Sequence, residues 1–440
     1  MEYLEKDPCS GRYIYMYDLP AKFNKDIVKN CRAIAEWFDY CPYVENEGFG
    51  PHFNDTSDNS ETVTTKESWF ETNQFMLSMI FHHRMKKYKC LTRNSTLATA
   101  IYAPFYPGLE VRRYLDKTNL SLRDEGGVAF ASWIRRRPEW RRFNGWDHFF
   151  VSGRISWDFR RLSYTNSSWG SKLLDLPESK NMTMLTIETS PYANNDFALP
   201  YPTYFHPSKD SEVFEWQKRV KNSNRRYLFA FGGAPRPNMT GSIREELIRQ
   251  CQNATRNRCN LVNCKPGDEM CTNPAHFIEM YMKTDFCLQP PGDSSTRRST
   301  FDSILAGCIP VYFHPSSAYI QYIWYFPKNY TKYSVFIPSK GIENRTVSVE
   351  EILSKYSKHD ISEMRKEVIR LIPKVIYARN KLETIEDAFD IAVKRILDRI
   401  GNSTRLVKEG KVPYSEFPAY ASWKYYMTGD VGKHEWDSYF

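Results

Sequence analysis

The sequence predicts an α/β protein built from two Rossmann-like domains that face each other across a cleft. At 440 residues the chain is too long for one ordinary hydrophobic core. Short apolar runs typical of strands alternate with helical patterns in both halves, and the Pro-rich segment 200–209 separates the halves. We expect an N-terminal α/β domain over 1–210, a C-terminal α/β domain over 211–365, and terminal helices over 366–440 that pack back across the domains.

The N-terminal half contains four strand patterns and two helical patterns. The segment GRYIYMYDLP alternates apolar and polar residues and ends in a turn, as an opening strand should. In chain order we expect strands at 11–20, 98–106, 148–153 and 184–187, and helices within 66–90 and over 128–137.

The C-terminal half begins a second alternation of strands and helices. We expect a strand at 227–231 and then a Gly- and Pro-containing loop. Ser242 and Glu245 have the spacing of a capping box, which would open a helix that ends near Cys251. Beyond a Cys-rich loop we expect strands at 286–288, 309–313 and 334–337, and a mostly helical, charged segment over 348–400.

The stretch 285–313, DFCLQPPGDSSTRRSTFDSILAGCIPVYF, is the most informative part of the chain. It predicts a strand, a Pro/Gly/Ser loop, a helix that Gly307 stops, and a second strand. Ser294 and Ser295 are placed to cap a helix that starts near Thr296. In such a unit the loop and the helix N-terminus lie at the carboxyl edge of a parallel sheet, where anionic ligands bind.

Arg297 and Arg298 fall in the first turn of that helix. The helix dipole favours acidic residues at this end, so a bound anion would remove an electrostatic conflict. The alternative is that both arginines face solvent or pair with Asp293 and Asp302.

A second junction in the same half repeats the pattern. Gly233 follows a strand, and Arg236 and Arg244 accompany the start of the next helix. Glycine lets the backbone approach a phosphate, and arginine offers a bidentate fork, so two such junctions predict a diphosphate site. Asp302, four residues after Arg298, is a candidate acceptor for ribose hydroxyls or an internal ion-pair partner of Arg298.

Composition limits the class of partner. The formal net charge is +9, and no Lys/Arg block is typical of a nucleic-acid arm, so we expect no nucleic-acid partner. A positive cleft would still steer an acidic substrate such as a nucleotide sugar. The aromatic content of 15% suits carbohydrate surfaces, although large cores also use aromatic residues.

Sequons and cysteines indicate the secretory pathway. The N-x-S/T sequons are more frequent than chance predicts, and we expect N-glycans on several of them. The 10 cysteines predict disulfides of undetermined connectivity rather than a zinc site, because no paired C-x-x-C spacing occurs. The sequons begin at Asn54, Asn94, Asn119, Asn166, Asn181, Asn238, Asn253, Asn329, Asn344 and Asn402.

The chain lacks an evident membrane segment. No apolar run reaches transmembrane length, and residues 1–10 have no signal-like core. Because a secretory protein needs a targeting segment, we expect a membrane anchor upstream that is absent from this chain.

The motif content argues against several enzyme classes. The signatures of phosphate-loop nucleotidases, zinc proteases and serine hydrolases are missing, and so is the acidic D-x-D triplet of metal-dependent sugar transferases. We therefore expect no catalytic metal and no cofactor. Arginines and helix termini would carry the charge of a leaving diphosphate.

The N-terminal half supplies the candidates for a general base. Such a base needs a carboxylate or a histidine in the cleft. Asp158 is the first choice, since aromatic neighbours could raise its pKa, and Arg154 and Glu188 are further catalytic candidates near strand ends. The alternative is that Asp158 forms an ion pair with Arg160 or Arg161.

Several segments together resemble the exostosin-like glycosyltransferases of family 47, and in particular the plant xyloglucan galactosyltransferase clade. The resemblance extends over nearly the whole chain from Gly11 to about Asp387. It is carried by GRYIYMYDLPAKFN, TNQFMLSMIFHHRMKKYKCLT, AIYAPFYPG, RRPEW, DHFFVSGRISWDFRR, PYPTYFHPSKDSEVFEWQ and FGGAPRP, together with the stretch 285–313.

The resemblance implies a type II Golgi membrane protein with a GT-B fold. Such enzymes are inverting and metal-independent, and they transfer a sugar from a UDP-sugar onto xylosyl side chains of xyloglucan. The donor site would lie in the C-terminal domain, and the base would come from the N-terminal domain. We also expect homo-oligomers or hetero-oligomers with other Golgi transferases.

The sequence departs from the family pattern at two places. Many members carry Glu where Asp302 stands, and His-Asp where this chain has Arg154-Ile155. Galactose is the commonest donor sugar in the clade, with galacturonic acid, xylose or arabinose as alternatives. Rival functions are a non-catalytic glycan-binding protein and a glycoside hydrolase that uses Asp158 and Glu188 as its carboxylate pair.

Overall fold

A computed structural model of the protein describes residues 7–53, 66–161, 163, 165, 168–265, 271 and 273–413. The described residues form two compact units. Unit 1 takes its residues from 7–51, 72–199 and 389–413, and unit 2 from 52–53, 66–71 and 200–388. The main crossover between the units is thus at 199–200, and the last helix returns to unit 1 after residue 388.

Unit 1 is built on a six-stranded sheet in the order β2-β1-β3-β4-β5-β6, and every strand pairing is parallel. Its strands are β1 (Tyr13–Met16), β2 (Leu91–Thr92), β3 (Ala98–Tyr102), β4 (His148–Val151), β5 (Thr183–Thr186) and β6 (Asp196–Ala198). Its helices include α1 (Lys25–Lys29), α2 (Cys41–Gly48), α3 (Leu77–Lys86), α4 (Pro107–Arg112), α5 (Leu120–Arg135), α6 (Trp140–Phe143) and α7 (Pro177–Asn181).

Aromatic packing holds α5 against the residues that follow β3 in unit 1. Phe105, just after β3, stacks on Phe130 of α5 with ring centroids 4.6 Å apart, and Phe23 meets both rings edge-on. All three side chains are buried. Because β3, β4 and β5 are neighbours in the sheet, the loops that follow them meet at one carboxyl edge.

Unit 2 is built on a five-stranded, parallel sheet in the order β11-β10-β9-β7-β8. Its strands are β7 (Tyr227–Gly233), β8 (Cys259–Asn263), β9 (Thr284–Gln289), β10 (Ile309–Tyr312) and β11 (Val335–Phe336). Its helices include α8 (Asp210–Lys221), α9 (Arg244–Gln252), α10 (Pro274–Met282), α11 (Arg298–Leu305), α12 (Ser339–Glu343), α13 (Val349–Leu353) and α14 (Lys358–Val375); the last helix, α15 (Ala388–Lys408), belongs to unit 1 from residue 389 onwards.

A buried tryptophan of α8 fixes the end of α11 in unit 2. The indole Nε1 of Trp216 donates a hydrogen bond of 2.8 Å to the carbonyl oxygen of Leu305, the last residue of α11. Gly307 then adopts a φ of +67°, a left-handed conformation that favours glycine. This geometry confirms the prediction that Gly307 stops the helix.

All 10 cysteines form disulfides, which confirms the sequence-based choice of disulfides over a zinc site. The shortest connections lie in the Cys-rich region, and the longest closes 81 residues of unit 1. The pairs are Cys9–Cys90, Cys31–Cys41, Cys251–Cys259, Cys264–Cys271 and Cys287–Cys308.

Two α/β units, each built on a parallel sheet, confirm the predicted α/β class with two Rossmann-like domains. The expected Cys-rich loop contains an additional edge strand, β8, and the helices α8 and α10 were not expected. Among the described residues, no helix has both the length and the apolar character that a membrane span requires.

Candidate active site

The two loop-to-helix junctions of unit 2 lie beside each other. Strands β7 and β9 are neighbours, so the loops that leave their carboxyl ends meet at one edge of the sheet. Arg244 Nε donates a hydrogen bond of 3.1 Å to the carbonyl oxygen of Pro291. Arg236 Nη2 lies 3.4 Å from the carboxylate of Asp293. The two arginine-bearing junctions that the sequence predicts therefore lie side by side, and their role as a binding site stays a prediction.

Gly292 makes room for a third guanidinium in this cluster. A Cβ atom at Gly292 would stand 1.7 Å from Nη2 of Arg297, so only glycine allows the side chain to lie where it does. Arg297 Nη2 also donates to the carbonyl oxygen of Ser294 at 3.2 Å, and the Gly292 N–H donates to the same oxygen at 3.0 Å. The loop thus holds Arg297 in a defined position.

The three arginines of this cluster, Arg236, Arg244 and Arg297, bring their positive charges close together. Burial, followed by the nearby charges of Arg297 and Arg236, lowers the pKa of Arg244 to about 10, and Asp293 opposes the shift. A guanidinium whose pKa falls in this way has neighbours that repel it, and a bound anion would relieve the repulsion. Asp293 is largely exposed and pairs with Arg236 only at the surface.

The start of α11 differs from the sequence prediction. The helix begins at Arg298, and Arg297 is its N-cap residue, with φ −142° and ψ 142°. No side chain caps this helix, so the expectation that Ser294 or Ser295 caps it is wrong. The capping box predicted at Ser242 and Glu245 is also wrong, since α9 starts at Arg244 without a side-chain cap. Extended backbone at residue 297 delays the first helical turn.

Asp302 is buried and paired with Arg298, the alternative that the sequence left open. Arg298 Nε lies 3.5 Å from Asp302 Oδ2, and its guanidinium stacks over the ring of Tyr204. Burial raises the pKa of Asp302 to about 6, against the lowering effect of Arg298. No described residue donates a hydrogen bond to Asp302 Oδ1. A role in binding ribose hydroxyls stays a prediction.

The candidate catalytic residues of unit 1 lie after β4 and β5. Gly153, at φ +69°, turns the chain at the end of β4 and brings Arg154 over the ring of Phe75 at 4.2 Å. The backbone N–H of Ser156 donates to the carbonyl oxygen of Glu188 at 2.8 Å. The structure thus brings the Arg154 loop and the Glu188 loop together, as parallel neighbouring strands require.

Asp158 is held by two donors. Arg154 Nε donates to its Oδ2 at 2.5 Å, and the indole Nε1 of Trp169 donates to its Oδ1 at 2.7 Å. The expected alternative pairing with Arg160 or Arg161 is wrong. Arg161 forms a bidentate pair with Asp124, and Arg160 contacts Asp175 and Asp196. The arginine that pairs with Asp158 is Arg154.

Glu110 of α4 is a further carboxylate of unit 1, and no sequence motif indicated it. Burial raises its pKa to about 8, although Arg113 acts in the opposite direction. Its carboxyl group lies over Gly126 of α5, where a Cβ atom would stand 2.2 Å from it. No described residue donates a hydrogen bond to this carboxylate. A single glutamate in a helix carries no sequence signal for such a position, because Gly126 is 16 positions away.

In the part of the chain that the structure describes, no three His, Cys, Asp or Glu side chains are grouped so that they could hold a metal ion. Metal-independent chemistry stays a prediction.

The family of this chain follows from its similarity to known proteins. The model of the exostosin GT47 domain matches residues 8–354 of this chain. The chain belongs to exostosin glycosyltransferase family 47.

Relatives in this family cover almost the whole chain. The protein is 52% identical to a probable xyloglucan galactosyltransferase of Arabidopsis thaliana, over 99% of this chain and 84% of the relative. It is 49% identical to another xyloglucan galactosyltransferase of the same plant, over 99% and 70%. A xyloglucan-specific galacturonosyltransferase of that plant is 40% identical, over 90% and 58%. The predicted family and clade are thus confirmed, and the chain is a glycosyltransferase.

Proposed function

We propose that this family 47 enzyme is an inverting transferase that moves galactose from UDP-galactose onto xylosyl side chains of xyloglucan. The names of its relatives support the sugar and the acceptor. The observation that carries the donor chemistry is the convergence of Arg236, Arg244 and Arg297 on adjoining loops of unit 2.

Unit 2 binds the donor in this proposal. The diphosphate of UDP-galactose lies among Arg236, Arg244 and Arg297, near the uncapped N-terminus of α11. Arginine forks match phosphate oxygens bidentately, so they hold the leaving UDP without a metal ion. Arg298 acts through Asp302, which it holds beside this site for the ribose hydroxyls.

Unit 1 supplies the acceptor site and the base. Trp157, which is 51% exposed, offers an aromatic face for a sugar ring. Tyr106 is less suited to that role, because it is buried and its hydroxyl bonds His82 Nδ1 at 2.7 Å. The base is a carboxylate at the same edge, either Asp158 or Glu110.

Of the two carboxylates, Glu110 fits the role of base better. Both oxygens of Asp158 already accept hydrogen bonds from Arg154 and Trp169, which disfavours proton uptake. Glu110 has no described donor, and a pKa of about 8 makes it a stronger base than an ordinary carboxylate.

The reaction is a single displacement. The base removes the proton of an acceptor hydroxyl on xylose as that oxygen attacks the anomeric carbon of the donor. The bond from the anomeric carbon to the β-phosphate oxygen breaks, and its electron pair leaves with UDP. Attack from the opposite face inverts the anomeric configuration. The arginines stabilise the negative charge that gathers on the departing diphosphate.

We place this reaction in the Golgi lumen, with a membrane anchor upstream and association with other Golgi transferases. The sequons support a lumenal location, since most of their asparagines are exposed. Asn181 is half-buried, and the sequons at Asn54 and Asn166 lie outside the described residues. The exposed asparagines are Asn94, Asn119, Asn238, Asn253, Asn329, Asn344 and Asn402.

A donor panel tests the proposed function. The purified protein is incubated with a xyloglucan oligosaccharide and, in separate reactions, the UDP derivatives of galactose, glucose, galacturonic acid, xylose and arabinose. We expect one hexose to be added from UDP-galactose, with linkage analysis placing it on xylose. Addition of a uronic acid instead would make the galacturonosyltransferase relative the better guide to the donor.

A second measurement separates catalysis from mere glycan binding. Calorimetric titration with UDP should show a complex whose affinity falls with salt, because the contacts are charge-assisted. A protein that binds the oligosaccharide but neither binds UDP nor transfers any sugar would be a glycan-binding protein, and the proposal would fail.

A further inference from the structure

A groove on unit 2 has no role in the proposed reaction. It lies among α13, α14 and the short turn 330–332, and its volume is about 730 Å³. That volume is typical of sites for small ligands. Its lining includes Thr331, Lys332 and Tyr356, and the exposed side of α14.

Four of the seven charged side chains in the groove form two ion pairs. Four basic and three acidic side chains line it. Lys366 pairs with Glu363 at 2.5 Å, and Arg370 pairs with Glu367 at 3.2 Å, all on α14. Because the basic side chains outnumber the acidic ones by only one, the groove offers many hydrogen-bonding groups with charges of both signs, which suits a neutral, hydroxyl-rich ligand better than a phosphate.

The half-buried ring of Tyr356 adds an apolar surface to the groove. The ring packs on Phe286 of β9 with centroids 5.5 Å apart, which fixes its orientation. Aromatic rings flanked by polar groups are the usual surface for the C–H face of a sugar. The groove therefore has both parts of a carbohydrate site.

A glycosylation sequon overlaps the lining of this groove. Asn329-Tyr330-Thr331 is a sequon, and its Thr331 also lines the groove. Asn329 Oδ1 accepts hydrogen bonds from Thr331 N at 3.1 Å and from Thr331 Oγ1 at 2.7 Å. Because Oδ1 is occupied, the side-chain amide is held in one orientation, and Asn329 is exposed to solvent.

We propose that Asn329 carries an N-glycan whose first sugars lie in the groove formed by α13, α14 and the turn 330–332. The proposal rests on the lumenal location that the proposed function includes. The glycan covers Tyr356 and hydrogen-bonds the paired side chains of α14, so it joins three elements of unit 2 and stabilises their packing.

Asn94 is the matched control within the same chain. Its Oδ1 accepts from Thr96 N at 3.0 Å and from Thr96 Oγ1 at 2.7 Å, the same local geometry as at Asn329. It is also exposed, but it belongs to unit 1, whereas every residue that lines the groove belongs to unit 2. A glycan on Asn94 should extend into solvent.

The test compares the release of the two glycans by an endoglycosidase. The protein is secreted from cells that keep N-glycans in the high-mannose form, and site occupancy is followed by glycopeptide mass spectrometry. In the native protein we expect release from Asn329 to be roughly tenfold slower than from Asn94, and equally fast after denaturation. Replacing Lys366 and Glu363 together with alanine should remove most of that difference.

Stability gives a second readout. Asp keeps the capping oxygen but cannot be glycosylated, so Asn329→Asp and Asn94→Asp remove each glycan without removing the cap. We expect a lower melting temperature for Asn329→Asp and little change for Asn94→Asp. The groove proposal would be overturned if Asn329 carried no glycan while Asn94 did, or if the two glycans were released from the native protein at equal rates. Neither result would contradict the proposed function. Absence of glycans at every sequon would instead contradict the lumenal location.

Discussion

Arg244 Nε donates a hydrogen bond to the carbonyl oxygen of Pro291, 47 positions further along the chain. This bond ties the loop after β7 to the loop after β9. It explains why arginines from two separate junctions act as one cluster. The proposed donor site therefore depends on the shape of both loops as well as on the charges.

Gly292→Ala tests that dependence on shape. The new methyl group would occupy the position of the Arg297 guanidinium and displace it. Because the displaced atoms are the end of a flexible side chain, the melting temperature should hardly change. We expect UDP affinity, measured by calorimetry, to weaken about tenfold through loss of a charge-assisted contact.

Gly401→Ala is the control for Gly292→Ala, because nothing lies within 4 Å of a Cβ atom at Gly401. It should bind UDP like the wild type. Unchanged UDP binding in Gly292→Ala would remove Arg297 from the proposed donor site.

Glu110→Gln tests the proposed base. The wild-type kcat should rise with pH up to about 8, where Glu110 becomes ionised, since a base acts in its deprotonated form. In the variant we expect kcat to fall by roughly 10²–10⁴, with the rise lost and UDP affinity unchanged. The exposed Glu215 of α8 provides the control variant Glu215→Gln. A Glu110→Gln enzyme of normal kcat would exclude Glu110 as the base.

Asp158→Asn separates a structural role from catalysis. Asp158 is 1% exposed, and the variant would leave Arg154 buried without its carboxylate. We expect the free energy of unfolding, from denaturant titration, to fall by about 3 kcal/mol. The kcat of the folded fraction should change little. The opposite pattern, normal stability with kcat reduced a hundredfold or more, would restore Asp158 as the base.

The raised pKa of Asp302 should make the stability of the protein depend on pH. This pKa of about 6 in the fold exceeds the ordinary value of 3.8, so the folded protein holds this proton more tightly than the unfolded chain. The resulting stabilisation is complete below pH 3.8 and is lost as pH rises through 6. Asp302→Asn lacks this titration, so its stability relative to wild type should rise by up to about 3 kcal/mol between pH 4 and 7. A difference that does not vary with pH would contradict the raised pKa.

Local sequence patterns predicted the fold where apolar runs have clear ends. Strands β7, β9 and β10 and the end of α11 were predicted within a few residues, because Gly and Pro bound them. Strand β8 was missed, since an edge strand with cysteines and half-exposed polar residues has no clear alternation.

The site was predictable only in part, for a physical reason. The convergence of the two arginine junctions follows from parallel strands, which the sequence indicates. The partners of Asp158 and the position of Glu110 depend on tertiary contacts. Trp169 approaches Asp158 from 11 positions away, and Gly126 gives Glu110 its space from a separate helix. No local pattern reports such contacts.

The disulfides should differ in their effect on stability according to the loop that each closes. Cys9–Cys90 closes 81 residues of unit 1, and Cys264–Cys271 closes 7 residues of unit 2. In the chain-entropy model a longer closed loop restricts the unfolded chain more. Replacing both cysteines of the first pair with alanine should lower the free energy of unfolding by about 4–5 kcal/mol, and of the second pair by about 2–3 kcal/mol. Denaturant unfolding measures both under non-reducing conditions. A larger loss from the short loop would show that native packing around Cys264 and Cys271, rather than loop entropy, sets the contribution.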